Sequence, residues 1–186
     1  MNDENEIISL CAKNDPRAQS ILYETFKGRL MGVCARYSSD LTGAEDIFHE
    51  AFYAILKHIA KAREYENIFG WMRRITINKA INHYKKNKKH MDLFSADEMD
   101  SQNVADANYK LIESKIDTQH LLELINQLPD GYRIVFNMYV IDGYPHKEIA
   151  THLGISENTS KSQLFKAKSM LKSRLIHLNK IRYEKK

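Results

Sequence analysis

The sequence has few of the residues that build tight turns and cross-links. Seven glycines and three prolines in 186 residues are too few for sandwiches and barrels, so their scarcity favours helices. Cys11 and Cys34, the two cysteines, lack metal-site spacing and form no disulfide framework, which favours buried thiols in a reducing compartment. No apolar run could span a bilayer, and the acidic start does not resemble a leader peptide. We expect a cytoplasmic, all-α protein without membrane insertion.

Positive charge is modest in total but unevenly distributed. The formal net charge is +4. Lys and Arg crowd into residues 73–89 and again from Lys161 to the C-terminus, whereas residues 91–108 are acidic and contain no basic residue. Separated basic blocks predict two surfaces that face phosphate, with an acidic connector between them. A solvated helix face is the alternative for each block.

Apolar residues recur at three- and four-residue steps in the first part of the chain, which predicts three amphipathic helices. Asp15 and Pro16 are suited to the cap and first position of one helix, and Thr42 with Glu45 resembles a capping box. The residues predicted to face inward are Ala18, Ile21, Leu22, Phe26, Leu30, Val33, Cys34 and Tyr37, then Ile47, Phe48, Ala51, Phe52, Ile55, Leu56 and Ile59, then Trp71, Met72, Ile75, Ala80, Ile81 and Tyr84.

The apolar period fades between Met91 and Tyr109. This predicts a flexible linker, residues 91–110, between two small helical domains at 1–90 and 111–186. In the second domain, Pro129 ends one helix, Asp130 is the expected cap of the next, and Gly143 ends that helix in turn.

The stretch "HLGISENTSKSQLFKAK" has the layout of a helix-turn-helix. Gly154 supplies the backbone freedom that a tight interhelical turn needs. Ile155 is expected to anchor the turn in the core, and Ser156 is a strong N-cap residue for the next helix. That helix has a polar outer face with Thr159 and Ser160 on its shoulders; the residues of this face are Glu157, Asn158, Lys161, Ser162, Gln163, Lys166 and Lys168. Such groups can bond base edges and phosphates in a major groove. The alternative is an ordinary helical corner with a polar outside.

A basic helix with aromatic residues at its entry is the second candidate for nucleic-acid binding. Its cations can neutralise phosphates, and Tyr65, Phe69 and Trp71 are suited to stacking on unpaired bases. The alternative is that Phe69 and Trp71 belong to the core, and for Trp71 this is the favoured interpretation. The basic residues are Arg73, Arg74, Lys79, Lys85, Lys86, Lys88 and Lys89.

An enzymatic function has little support in the sequence. Asp46 with His49, and Asp117 with His120, have a spacing seen in di-metal bundles, but the further glutamates of such a site are missing. No phosphate-binding loop, nucleophile elbow or zinc-protease motif is present. We therefore expect no catalytic residues, no metal and no cofactor.

The order of these segments resembles the small two-domain bacterial sigma factors of the extracytoplasmic-function (ECF) group. "AEDIFHEAFYAILKHI" is similar to the helix that docks on core RNA polymerase. "FGWMRRITINKAINHYKK" is similar to the segment that melts the promoter and reads the minus-ten element. "LPDGYRIVFNMYVIDGYPHKEIATHLGISENTSKSQLFKAKSMLK" resembles the domain that reads the minus-thirty-five element. The resemblance covers about residues 14–90 and 116–175.

The resemblance implies promoter DNA and core RNA polymerase as partners, admits an anti-sigma factor, and assigns roles to residues. The loop Ala62–Ile68 would take a flipped minus-ten base, and the linker would run toward the polymerase active-site and RNA-exit path. Polymerase would bind Asp46, His49, Glu50 and Tyr53. The minus-ten strand would meet Tyr65, Asn67, Arg73, Arg74, Asn78, Lys79, Asn82, Lys85 and Lys86. The minus-thirty-five duplex would meet Ser156, Asn158, Thr159, Lys161, Ser162, Gln163 and Lys166.

Three positions depart from the family pattern. Members often have Asp where this chain has Asn82, Arg where it has Gln163, and an apolar residue where it has Ser160. The function expected is that of a sigma factor, which directs core polymerase to a class of promoters. The alternatives are a free-standing helix-turn-helix regulator of operator DNA and a helical module that sequesters a sigma factor.

Overall fold

The computed structural model describes residues 2–92 and 118–184, and within these ranges every regular element is a helix. The chain divides into two compact units, Met1–Asn87 and Lys88–Lys186. Of the predicted linker, Met91 and Asp92 belong to the helix before it, and the rest lies outside the described residues.

The first unit contains four α-helices: α1 (Asn2–Ala12), α2 (Pro16–Tyr37), α3 (Leu41–His58) and α4 (Ile68–Asp92). A 3₁₀-helix, Ile59–Glu64, continues from α3. No periodicity was predicted for α1, yet its Ile8 and Cys11 are buried. A short helix with so few inward residues depends on its neighbours for stability, and α1 packs on α2 and the 3₁₀-helix.

The starts of α2 and α3 illustrate one correct and one wrong prediction. The Ala18 N–H donates to Asp15 Oδ1 at 2.8 Å, which confirms Asp15 as the cap of α2. The capping box at Thr42 is wrong, because the Gly43 N–H donates to Asp40 Oδ1 at 2.7 Å and α3 begins one residue earlier, at Leu41. Ile21, predicted to face inward, is 51% exposed.

The core of the first unit is apolar and rich in aromatic residues. Tyr23 meets Phe48 and Phe52 edge to face, at centroid distances of 5.5 and 5.2 Å. Burial raises the pKa of the Cys34 thiol to about 12, so this cysteine stays protonated and unreactive. The fully enclosed residues include Leu22, Leu30, Ile47, Phe48, Ile55, Ile59 and Met72.

The second unit contains α5 (Thr118–Asn126), α6 (Asp130–Phe136), α7 (His146–Leu153) and α8 (Glu157–Glu184). A π-helix, Asn137–Ile141, follows α6 and is closed by the Asp142 N–H donating to Asn137 O at 2.9 Å. Its wide turn keeps Met138 in the core and leaves Tyr139 and Val140 39% and 49% exposed. Gly143 then leaves the helix at φ +76°.

Two arginines hold the carboxyl end of α5. Arg133, 3% exposed, donates through Nη1 to Asn126 O and Leu128 O, both at 3.2 Å. Arg174 on α8 donates to Leu124 O at 3.3 Å and Gln127 O at 3.2 Å. These carbonyls would otherwise lack partners, and cations also favour the negative end of the helix dipole. The end of α5 is thereby joined to α6 and α8.

Asp130 is not the cap that the sequence predicted. It is the first residue of α6, which follows Pro129 and has no side-chain cap. The Asp130 carboxylate instead accepts from Arg133 Nη2 at 2.7 Å, because Arg133 lies one helical turn away and needs an anionic partner where it is buried.

Replacing Arg174 with alanine should destabilise the second unit by about 1–2 kcal/mol, because two carbonyls at the end of α5 lose their donor. Urea unfolding followed by far-UV circular dichroism would measure the loss. Lys172→Ala on the same helix is the control, since Lys172 is exposed. Equal effects of the two substitutions would contradict a specific role for Arg174.

Candidate nucleic-acid interface

The turn between α7 and α8 has the geometry that its sequence predicted. Gly154 has φ +69°, and its N–H donates to Ala150 O at 2.9 Å, as does that of Ile155 at 3.1 Å. Ser156 then caps α8, since the Thr159 N–H donates to Ser156 Oγ at 2.9 Å. A left-handed glycine followed by a serine cap fixes where α7 ends and where α8 begins.

One side of α8 is buried against the rest of the second unit. Ser160 and Ala167 are fully buried, and Leu164 and Leu171 are 6% exposed. The prediction that Ser160 lies on the shoulder of the outer face is therefore wrong. The four residues are spaced at steps of three or four along the helix, so Ser160 shares the buried side with Leu164, Ala167 and Leu171.

The predicted minus-thirty-five residues lie at the N-cap and in the first three turns of α8, outside the buried stripe. Asn158 and Lys161 are exposed, and the amide of Asn158 is a group that can bond adenine. Ser156 is also exposed, but its Oγ already accepts the capping hydrogen bond from the Thr159 N–H. The same Oγ lies 2.8 Å from Thr159 Oγ1. Ser162 donates to Thr159 O at 3.0 Å. The half-buried members are Thr159, Ser162, Gln163 and Lys166.

Lys161 is held by an acidic neighbour that the sequence-based site did not include. Lys161 Nζ lies 2.8 Å from Glu157 Oε1, one turn earlier on α8. This hydrogen bond and the lysine charge lower the pKa of the exposed Glu157 carboxyl. The four-residue spacing of the pair was legible in the sequence. It points the Lys161 side chain toward the start of α8.

A second set of predicted residues shares one exposed row of α4. Arg74, Asn78, Asn82 and Lys86 follow one another at four-residue steps and are all exposed. Arg73 does not join them. It begins the row that continues with the buried Ile77 and Ile81, and it is itself half-buried.

The packing of α4 also corrects its predicted apolar face. Thr76 and Ile77 are buried, whereas Ile75 is half-buried. Thr76 satisfies its hydroxyl by donating to Met72 O at 2.9 Å, which lets a polar residue occupy the core. Lys79 and Lys85 are half-buried.

Fewer residues of the predicted base-binding loop, which precedes α4, are available to DNA than the sequence suggested. Asn67 Oδ1 accepts from the Gly70 N–H at 2.9 Å and so begins the helix. Ala62, at one end of the predicted base-binding loop, is buried within the 3₁₀-helix. Tyr65 is 47% exposed, and its ring lies 6.2 Å from that of the buried Trp71. The exposed part of the loop is therefore residues 63–67.

Arg29 is an additional cation at this end of α4. Its guanidinium lies 3.5 Å from the centroid of the Phe69 ring, which also stacks on Phe26 at 6.2 Å. Arg29 is exposed. No local sequence signal links it to Phe69, because the two residues are brought together only by the packing of α2 on the start of α4.

The four predicted polymerase contacts form one exposed face of α3. Asp46, His49, Glu50 and Tyr53 all lie opposite the buried Ile47, Ala51 and Ile55, and Tyr53 is 71% exposed. Glu50 Oε2 lies 3.9 Å from Lys79 Nζ, a loose ion pair that joins this face to α4.

The structure brings no metal-binding group together in the part of the chain that it describes. Asp46 and His49 stand without a third ligand there, and Asp117 of the other predicted pair lies outside the described residues. None of the helices in the described ranges combines the length and apolarity that crossing a bilayer requires.

Known proteins match both units. Residues 22–90 match the family described as Sigma-70 region 2, and residues 118–171 match Sigma-70, region 4. The RNA polymerase sigma-H factor of Pseudomonas aeruginosa is 22% identical over 179 residues, 90% of this chain and 91% of that protein. Two Bacillus subtilis ECF sigma factors, SigM and SigW, are 27% and 29% identical over 82% and 88% of this chain and 91% of each.

Two solved structures are also similar. One is CnrH in complex with the cytosolic domain of CnrY, with a TM-score of 0.45 and 16% identity, covering 92% of this chain and 96% of that chain. The other is RpoE in complex with the anti-sigma factor NepR from Bartonella quintana, with a TM-score of 0.48 and 20% identity, covering 84% of this chain and 95% of that chain. The two family matches, in this order along one chain, and the curated relatives over nearly its whole length lead to one conclusion: the chain belongs to the ECF subfamily of RNA polymerase sigma factors.

Proposed function

We propose that this sigma factor divides promoter recognition between its two units, with residues 1–90 docking on core polymerase and reading the minus-ten element, and residues 111–186 reading the minus-thirty-five element. The observation that carries this division is the start of α8. There the Gly154 turn and the Ser156 cap hold Asn158 and Lys161 on an exposed face, where a helix in a major groove meets base edges.

In the minus-ten half, the row Arg74, Asn78, Asn82 and Lys86 follows the separated strand. The cations bind phosphates, and the amides lie where they can bond base edges. An unpaired base stacks on Tyr65, whose exposed ring is steadied by Trp71. Arg73 lies on the neighbouring row, and like Lys79 and Lys85 it is half-buried and remains a predicted contact of this strand.

The exposed face of α3 docks on core polymerase. It combines two carboxylates with the highly exposed ring of Tyr53, a residue type that is enriched among the strongest contacts of protein interfaces. The opposite face of α3 is fully used in the core, so only this face is available to a partner. An anti-sigma factor is a further partner that we propose, by analogy with the complexes of CnrH and RpoE.

The protein on this proposal has no catalytic activity of its own and requires no cofactor, because polymerase supplies the chemistry of RNA synthesis. It acts in the bacterial cytoplasm, where polymerase and promoter meet.

Run-off transcription from a genomic promoter library, with core polymerase alone and with this protein added, tests the proposal. We expect a defined class of promoters to be transcribed only when the protein is present. A free-standing operator-binding regulator would instead bind duplex DNA tightly without polymerase and would add no transcripts to those of the core enzyme.

Replacing Tyr53 with alanine should weaken binding to core polymerase on the order of tenfold or more, because an exposed aromatic anchor is lost while the core is untouched. Fluorescence anisotropy with labelled protein would measure the affinity. His58→Ala, exposed at the end of α3 outside the proposed face, is the control. An unchanged affinity for the Tyr53 variant would contradict docking through this face.

Gln163→Ala and Lys166→Ala should affect minus-thirty-five recognition differently. Loss of the amide should relax base preference at one position by about 1–3 kcal/mol, whereas loss of the lysine should weaken binding on all sequences alike. Transcription from promoters with each single substitution in the minus-thirty-five element would separate the two patterns. A uniform loss for both variants would contradict the assignment of Gln163 to a base.

A further inference from the structure

A side-chain hydrogen bond joins the two helices of the helix-turn-helix at their first turns. His146 Nδ1, on the first residue of α7, lies 2.9 Å from Ser160 Oγ in the first turn of α8. The two residues are fourteen positions apart in the chain. The bond therefore spans the whole motif and fixes one point of α8 against one point of α7.

Both partners are constrained by their surroundings. Ser160 is fully buried, so its hydroxyl needs a partner inside the protein. The His146 ring stacks on Tyr139 of the π-helix, with centroids 4.3 Å apart and an interplanar angle of 20°. The bond is therefore enclosed at the serine end and held in orientation at the histidine end.

The surroundings of His146 favour the neutral imidazole over the charged form. Burial lowers the pKa of His146, and the positive charges of Lys161 and Lys168 lower it further, against the opposing effect of Glu157. A neutral ring has one donor and one acceptor nitrogen, so it can complement the serine hydroxyl without adding a charge beside the lysines of α8.

Ser160 lies among the residues that read DNA. Asn158 and Lys161 are within two positions of it on the same turn of α8 and face outward. A small rotation of this turn would move both relative to the bases. Apolar contacts resist separation of the helices but do not favour one rotation, whereas a hydrogen bond is directional.

We propose that the His146–Ser160 hydrogen bond sets the angle at which the reading face of α8 meets the minus-thirty-five duplex, and that the two residues are positioning determinants of base preference. This inference rests on the proposed reading of DNA by α8. Neither residue contacts DNA on this proposal. They act through Asn158, Lys161 and their neighbours.

Two substitutions of His146 separate the role of its ring nitrogen from the role of its ring. His146→Phe retains a ring to stack on Tyr139 but removes the nitrogen, whereas His146→Asn removes the ring but places an amide as far from Cβ as Nδ1 was. The readout is transcription by core polymerase with the full-length variant on promoters with a randomised minus-thirty-five element and a constant minus-ten element. Ser160→Ala tests the other partner, and Ser169→Ala, exposed on the same helix, is the control.

We expect His146→Phe and Ser160→Ala to lower the ratio of preferred to next-best minus-thirty-five sequences by about twofold to tenfold, the worth of one hydrogen bond. His146→Asn and Ser169→Ala should retain the wild-type ratio. A purely structural role predicts the reverse order for the two His146 variants, because Asn loses the stacked ring, and a melting curve of each variant would report that effect separately.

Three results would overturn the inference. The first is an unchanged base preference in His146→Phe and Ser160→Ala; if Ser160→Ala does not fold, His146→Phe decides alone. The second is a change in minus-thirty-five base preference in His146→Asn, which lacks the ring but keeps an amide in place of Nδ1. The third is wild-type protein that transcribes the library without any minus-thirty-five preference. Only the third also overturns the proposed function, so the two failures are distinguishable.

Discussion

The second unit depends on the burial of one side of α8. Ser160, Leu164, Ala167 and Leu171 form a stripe against which α5, α6 and α7 pack. The small side chain of Ala167 allows a close approach, and the leucines supply the apolar area. Because this stripe is buried, residues on other sides of the same helix, such as Asn158 and Lys161, face outward. The packing of the unit thus decides which residues are available to DNA.

Polar groups inside this unit are few and have specific roles. Arg133 and Arg174 close the end of α5 by binding its free carbonyls, and His146 binds the buried hydroxyl of Ser160. The Arg174 bonds span 50 and 47 positions of the chain and the His146 bond spans fourteen, whereas Arg133 binds carbonyls only seven and five positions away. Apolar packing brings the helices together, and these directional bonds determine the angles between them.

The first unit uses α3 and α4 in the same way, as helices with one packed side and one side for a partner. The exposed face of α3 presents Asp46, His49, Glu50 and Tyr53, and the exposed row of α4 presents Arg74, Asn78, Asn82 and Lys86. Glu50 and Lys79 lie 3.9 Å apart where the two helices meet. On the proposed function, polymerase and the separated strand would therefore bind adjacent surfaces of the first unit.

The sequence by itself determined the helical class, the cap at Asp15, the left-handed turn at Gly154 and the cap at Ser156, because each depends on neighbours a few positions away. It also identified the family through segments in a recognisable order. Only the tertiary structure decided that Ser160 is buried and bonded to His146 and that Arg29 stacks on Phe69. It also decided that Arg73 is half-buried and lies on a different row of α4 from the exposed one. These features depend on contacts between residues far apart in the chain, and a helical period alone does not specify which residues a neighbouring helix will cover.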